Sequence, residues 1–272
     1  MNRRLRIGNQ TSVTAADRMA PFRFALKHRF DAFEWFADKK WDGPGGAPRG
    51  WEEPDLDAGA RAWIRDTGRA AGMRFTVHAP WQANPLRPEG VPLLLRSVGF
   101  AADIGADLVN LHLYVEHGPE AYVRALEPVI RAAAAAGRKA SIENTPETTP
   151  DDFNRTFGRL RAAGLDRGVG MCLDIGHANL CGVTHNDYIR YIDMLVDVPI
   201  IHAHIHENWG DRDSHLTLFT GPSARDDSGV RALLDRLRAR EYDGVLILEQ
   251  WPNPPQMLAD AAARLRGLWE AR

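Results

Sequence analysis

The chain has 272 residues, 44% of them hydrophobic and 26% charged, values ordinary for a soluble globular protein. With 34 basic against 36 acidic residues the net charge is −2, which provides no basic field for coating nucleic acid or an anionic membrane. Two cysteines, Cys172 and Cys181, exclude a disulfide scaffold and a cysteine-based zinc cluster, and they suit a reducing compartment.

The opening residues, MNRRLRIGNQ, are basic but lead into no apolar run, so they do not read as a secretory signal. No stretch approaches the ~20 apolar residues of a membrane span, and a cytoplasmic protein is expected. From there β-rich runs alternate with amphipathic helical patterns. Strands are predicted at 5–8 and 32–36, then a helix at 56–71 and a strand at 74–78. A helix at 92–104 precedes a strand at 108–112, and a helix at 120–136 precedes one at 139–143. The pattern continues with helix 151–163, strand 170–174, helix 187–196, strand 200–206, helix 230–240, strand 244–249 and a closing helix at 255–269. Ala-Gly steps near 71–72, 136–137 and 163–164 mark helix ends just ahead of the next strand.

Crossover helices supply the connection that parallel strands require. Eight such units predict an α/β protein, a single (β/α)₈ TIM barrel over residues 1–272. A doubly wound open sheet is the alternative, but no Gly-rich first turn supports it. No linker, charge block or low-complexity segment divides the chain.

A barrel of this type carries its active site where the strands end. The second strand, FEWF, carries Glu34, which either binds substrate or pairs with an arginine. The third ends in FTVHAPW with His78, the fourth in NLHLY with His112, and the fifth in SIENT with Glu143 and Asn144. The sixth ends in CLDIGH with Asp174 and His177, and the eighth in LILEQW with Glu249. The seventh gives HAHIHENWGDRDSH, where His202, His204 and His206 share one face because strand side chains alternate. Six consecutive strands thus bring imidazoles or carboxylates to one rim. Burying them together is costly unless a cation offsets the negative charge. Carboxylates with neutral imidazoles suit Zn²⁺ or Mn²⁺, so a divalent metal ion is expected.

Blander roles are assigned to other residues. His28, His117 and His185 read as surface or capped side chains, Cys172 as a small core residue and Cys181 as an inert thiol. His202 lies deeper and reads as a hydrogen-bonded core residue, while His206 and Glu207 read as support for the ring; His206 is also a candidate substrate contact. Trp41, Trp51, Trp81, Trp209 and Trp251 lie in or next to strand-end loops, where their faces could pack on sugar rings or close the cavity. Arg87, Arg212 and Arg225 are candidate anion binders; Arg212, between Asp211 and Asp213, has the best claim, and the other two read as solvent-facing ion pairs.

LDIGH, the H-x-H-E-N…D-x-H stretch and the flanking Glu143 and Glu249 occur in an order that resembles the xylose isomerase-like TIM-barrel superfamily. That superfamily includes sugar and sugar-phosphate isomerases and epimerases, inosose-processing enzymes and endonuclease IV. The resemblance implies one metal held by Glu143, Asp174, His204 and Glu249, and a homo-oligomer, either dimer or tetramer. The endonuclease IV branch implies up to three zinc ions and adds His78, His112, His177, Asp213 and His215, all present here. Three departures stand out: Glu207 in place of the usual Asp, LFTGPSARDDSG in place of a Gly-rich segment, and the insertion KKWDGPGGAPRGWEEP.

The leading expectation is a metal-dependent isomerase or epimerase of a small sugar, polyol or sugar phosphate. It would work through a metal-stabilised enediolate, with Glu143 and Glu249 as the acid/base pair and His177 on a substrate oxygen. Trp81, His206, Arg212 and Glu34 are its candidate substrate contacts. The alternative is a multi-zinc phosphoester hydrolase in which a metal-bound hydroxide attacks phosphorus. Near-neutral charge weighs against a duplex nucleic acid as partner in either case. A non-catalytic barrel would show gaps in the ligand set, and the sequence shows none. No lysine ends a strand as a Schiff base would need, and GxGxxG, GxxxxGK[ST] and GxSxG are absent.

Overall fold

The computed structural model describes residues 4–41 and 48–271. Eight strands, β1 (Ile7–Gln10), β2 (Ala32–Phe36), β3 (Arg74–His78), β4 (Leu108–His112), β5 (Lys139–Glu143), β6 (Val169–Asp174), β7 (Ile200–Ile205) and β8 (Leu246–Leu248), pair in parallel. They close into a barrel in which each strand is hydrogen-bonded to its neighbours in sequence, and β8 returns to β1. The expected (β/α)₈ TIM barrel is therefore the architecture observed.

Nine helices surround it among the described residues: α1 (Ala20–Lys27), α2 (Ala58–Ala70), α3 (Gly90–Ile104), α4 (Gly118–Ala135), α5 (Pro150–Ala162), α6 (Ile175–Leu180), α7 (Tyr188–Asp193), α8 (Ser228–Ala239) and α9 (Gln256–Glu270). Their ends follow local chemistry. Asp57 caps α2 by accepting from the Ala60 amide, and Thr149 and Asp152 form a capping box around Pro150 at the start of α5. Each such cap contributes about 1 kcal/mol. Gly105 closes α3 at φ +73°, in the left-handed region that a side chain would strain. No described helix is long and apolar enough to cross a membrane.

The main core lies between barrel and helices, where Phe22, Phe33, Trp35 and Phe75 pack edge to face or tilted with ring centroids 5.0–6.2 Å apart. Ala32, Val245 and Ile247 form a separate apolar cluster. By the alternation of strand side chains these three share the inner face with Glu34 and Glu249, so they floor the barrel beneath the polar mouth.

Three features differ from the sequence expectation. The insertion after β2 contains a short antiparallel hairpin, Lys40–Trp41 with Pro48–Arg49; two-residue strands carry no periodicity to read. The helix α6 begins directly after β6, with Asp174 as its cap, so LDIGH is a strand-to-helix junction. Strand β1 starts two residues later than expected.

Candidate metal centre

Strand register brings the polar residues together. His112 lies opposite Glu143 across β4 and β5, and Asp174 opposite His204 across β6 and β7. Inward-facing positions that a barrel usually fills with branched aliphatics carry instead Glu34, Thr76, His78, Asn110, Ser141, Glu143, Cys172, Asp174, His202 and His204, all buried.

His204 stands at the centre. Its Nδ1 lies 3.4 Å from Glu143 Oε2, 3.3 Å from Glu249 Oε2 and 3.8 Å from Asp174 Oδ2. Its Nε2 faces away, 2.7 Å from Glu34 Oε1. Glu34 Oε2 in turn accepts from Thr76 Oγ1 at 2.7 Å and lies 2.7 Å from His202 Nε2. The ring thus lies between Glu34 on its Nε2 side and the other carboxylates on its Nδ1 side.

Glu143 is ringed by His78 Nε2 at 3.1 Å and by His112 Nε2 and His177 Nδ1 at 3.6 Å, and Asn110 Nδ2 donates to its Oε2. Ser141 Oγ donates to Asn110 Oδ1 at 2.7 Å, so the amide is itself held. Asn144 clamps the Asp174 backbone by two hydrogen bonds of 2.8 Å, and Asp174 Oδ1 accepts from the His177 amide. An outer group follows: His177 Nε2 lies 3.3 Å and His215 Nε2 2.9 Å from Asp213 Oδ2, and the His206 and His215 rings stack at 4.0 Å. A Cβ on Gly176 would lie 1.9 Å from the His206 ring, which explains the glycine in LDIGH.

Burial alone would raise the Glu143 carboxyl, but the His204, His112 and His78 imidazoles hold it well below the usual carboxylate range. Burial and the same opposition act on Glu249, which His204 and His215 keep low. His215 shows the converse: burial lowers it, but the Asp213 and Glu249 carboxylates push it up to about 9.

The donor set fits a divalent cation. Glu143 Oε1, His204 Nδ1 and Glu249 Oε2 are buried without a hydrogen-bond partner among the described residues, a situation a bound cation would relieve. Two four-residue groups have ligand atoms close enough to share an ion: His78, Glu143, His204 and Glu249, and His177, His206, Asp213 and His215.

The structure thus brings together Glu143, Asp174, His204 and Glu249 with His78, His112, His177, Asp213 and His215. Two expectations, the arginine partner of Glu34 and the loop position of Trp51, are corrected. Glu34 pairs with no described arginine; it is buried behind His204, its Oε1 2.7 Å from that ring's Nε2. His177 has its Nδ1 2.8 Å from Asn144 O and its Nε2 3.3 Å from Asp213 Oδ2. Trp51 is a core residue against Trp35 and Phe100, with Nε1 on Thr11 Oγ1. Arg87 pairs with Glu116, the ion pair expected of it, and Arg225 lies over the Trp209 ring. Trp81 and Trp209 are 51% exposed, Arg212 is exposed, and His206 is buried with Nε2 3.0 Å from Asp174 Oδ2. The side chain of Trp41 and residues 42–47 fall outside the described part. Asn110, Ser141 and Thr76 were not among the expected site residues; their signal is a polar side chain at an inward position of an otherwise apolar strand.

The sequence profile described as xylose isomerase-like TIM barrel matches residues 22–268. The chain belongs to that family. Among the relatives of this xylose isomerase-like barrel is a protein of Methanocaldococcus jannaschii, itself uncharacterised, 25% identical over 65% of this chain and 64% of its own length. A probable endonuclease 4 of Methanoculleus marisnigri is 28% identical over 50% of this chain and 54% of its own. The chain spans about half to two thirds of the length of the curated relatives it matches. Among solved structures, a D-tagatose 3-epimerase-like protein superposes with TM-score 0.76 at 20% identity, covering 98% of both chains. An L-ribulose 3-epimerase gives 0.71 at 18% identity, covering 98% of this chain and 95% of its own. These likenesses concern the fold.

Proposed function

We propose that the chain is a divalent-metal-dependent isomerase or epimerase of a small sugar, polyol or sugar phosphate. The observation that carries this is the placement of Glu143 and Glu249, from β5 and the end of β8, beside His204 Nδ1 at 3.4 and 3.3 Å. Glu143, Asp174, His204 and Glu249 would hold the ion, which when bound supplies positive charge to polarise a substrate carbonyl and to stabilise the negative charge left as a proton departs. One glutamate takes the proton from the carbon beside the carbonyl, and the other, after drawing a proton from water or a substrate hydroxyl, returns it to the same or the adjacent carbon. The surrounding imidazoles hold both below the usual carboxylate range, so the first is ready to accept. Trp81 and Arg212, on exposed strand-end loops, would meet the outer part of the substrate. The epimerases among the structural neighbours support the same reading.

The test is solvent exchange. With Mn²⁺ or Zn²⁺ restored in deuterated water, a ketose in a substrate panel should take up deuterium at the carbon beside its carbonyl. Glu143→Gln and Glu249→Gln should each lower that rate by about 10²–10⁴-fold. Undiminished exchange in both variants would remove the assignment.

A second reading rests on the outer group, His177, His206, Asp213 and His215, and on the probable endonuclease 4 among the relatives. It makes the chain a phosphoester hydrolase, in which several cations neutralise the phosphate oxygens. Metal content separates the two: about three zinc ions per chain favour the hydrolase, and a single Mn²⁺-like ion favours the isomerase.

A further inference from the structure

Deeper in the barrel than Asp174, the same face of β6 carries a thiol. Cys172 lies opposite Glu143 across β5 and β6 and opposite His202 across β6 and β7. A buried thiol is ordinarily a small core residue. Here it has polar company instead: its sulfur and one nitrogen each of His202 and His204 lie within 4.8 Å of one another. All three side chains are fully buried. His202 Nδ1 and His204 Nδ1 are without a hydrogen-bond partner among the described residues, a state that is destabilising unless something engages them.

The chemistry of the three donors narrows what they hold. One thiolate with two imidazoles suits Zn²⁺ or Co²⁺, whereas Mn²⁺ and Mg²⁺ favour oxygen ligands. An ion takes sulfur at about 2.3 Å and imidazole nitrogen at about 2.0–2.1 Å, so side-chain adjustments of about 1 Å bring these atoms onto one centre. Charge agrees. The Glu34 carboxylate stands 2.7 Å from His202 Nε2 and 2.7 Å from His204 Nε2. Together with the thiolate it balances a divalent cation where an uncompensated charge is costly. On loading, the S–H bond breaks, the sulfur donates its electron pair to the cation, and the proton leaves to solvent. His204 belongs to this group and to the inner metal group, so the two positions share an imidazole.

We propose that Cys172, His202 and His204 hold a thiophilic divalent cation at a second, deeper position, and that Cys172 thereby biases the barrel toward Zn²⁺ and Co²⁺ over Mn²⁺. The inference goes beyond either proposed reaction, since it concerns which ion the chain retains.

The experiment is titration of the full, chelator-stripped chain with Co²⁺. Charge transfer from sulfur to Co²⁺ absorbs in the near ultraviolet, and the chain has two cysteines, so substitution identifies the source of the band. The band should appear in the unsubstituted chain, disappear in Cys172→Ser and persist in Cys181→Ser, while the visible ligand-field absorption of bound Co²⁺ persists in all three. In competition between Zn²⁺ and Mn²⁺, Cys172→Ser should lower the preference for Zn²⁺ by about tenfold. If Cys172→Ser does not fold, Cys172→Ala carries the same measurements. A charge-transfer band that survives loss of Cys172, or an unchanged metal preference, would overturn the proposal. Ligand-field absorption without a charge-transfer band removes the deeper position and leaves the ring of carboxylates and imidazoles standing; no uptake of Co²⁺ at all defeats both.

Discussion

The inner and outer halves of the ring are built differently. His78, Glu143, His204 and Glu249 sit on or directly after barrel strands and are buried. They are braced from behind: Glu34 backs His204, and Asn110 backs Glu143. Asp213 and His215 instead come from the loop after β7, their side chains 35% exposed. A strand-borne site is pre-organised, whereas a loop-borne one can adjust or exchange its ligand. The inner half is thus the pre-organised one, and the outer half the one with room to adjust.

That contrast can be broken most decisively at Glu143, which faces four imidazoles. Glu143→Gln should remove tight metal binding at the inner group altogether and reduce turnover by about 10²–10⁴-fold; metal analysis after gel filtration reads the first effect directly. Next comes the brace. Glu34→Gln should weaken inner-site metal affinity by about 10–100-fold in a chelator competition, with little change in the thermal midpoint of the metal-free protein. A third measurement concerns protons. His215, held up to about 9, cannot ligate while protonated, so outer-site affinity should rise with pH between about 6.5 and 9, by up to about tenfold per unit, and then level off. Zinc titrations across that range, with proton release followed in weak buffer, check the sign. The smallest effect is expected from Asp213→Asn: loss of any outer ion, but less than about tenfold change at the inner group. The described ion pairs of Asp213 are with His177, His206 and His215, none of the inner four. An equal loss at both groups would show one indivisible centre.

Most of the barrel is legible in the sequence because apolar strands and amphipathic helices repeat with different periods. The inner ligands are legible too, because ionisable side chains at successive strand ends are too costly to bury together without a shared cation. Glu34 escapes such reading for a physical reason: its partner His202 lies 168 residues away, and no local pattern reveals which strand closes the barrel opposite β2. His177 is readable as a rim residue just past the strand that ends at 174, but the six-residue helix that aims it is too short to show a periodicity.

Glu207 and the segment after the D-x-H pair form a single device. Glu207 accepts from the backbone amides of Gly221 and Ser223, at 3.0 and 2.8 Å, and exchanges main-chain hydrogen bonds with Leu216. The longer arm and the TGPS segment hold each other, a few residues downstream of His204. Shortening residue 207 to aspartate would strand two amide hydrogens, and transplanting residues 216–223 into another barrel without its glutamate would leave the graft untethered. Position and segment must drift, or be engineered, as a pair.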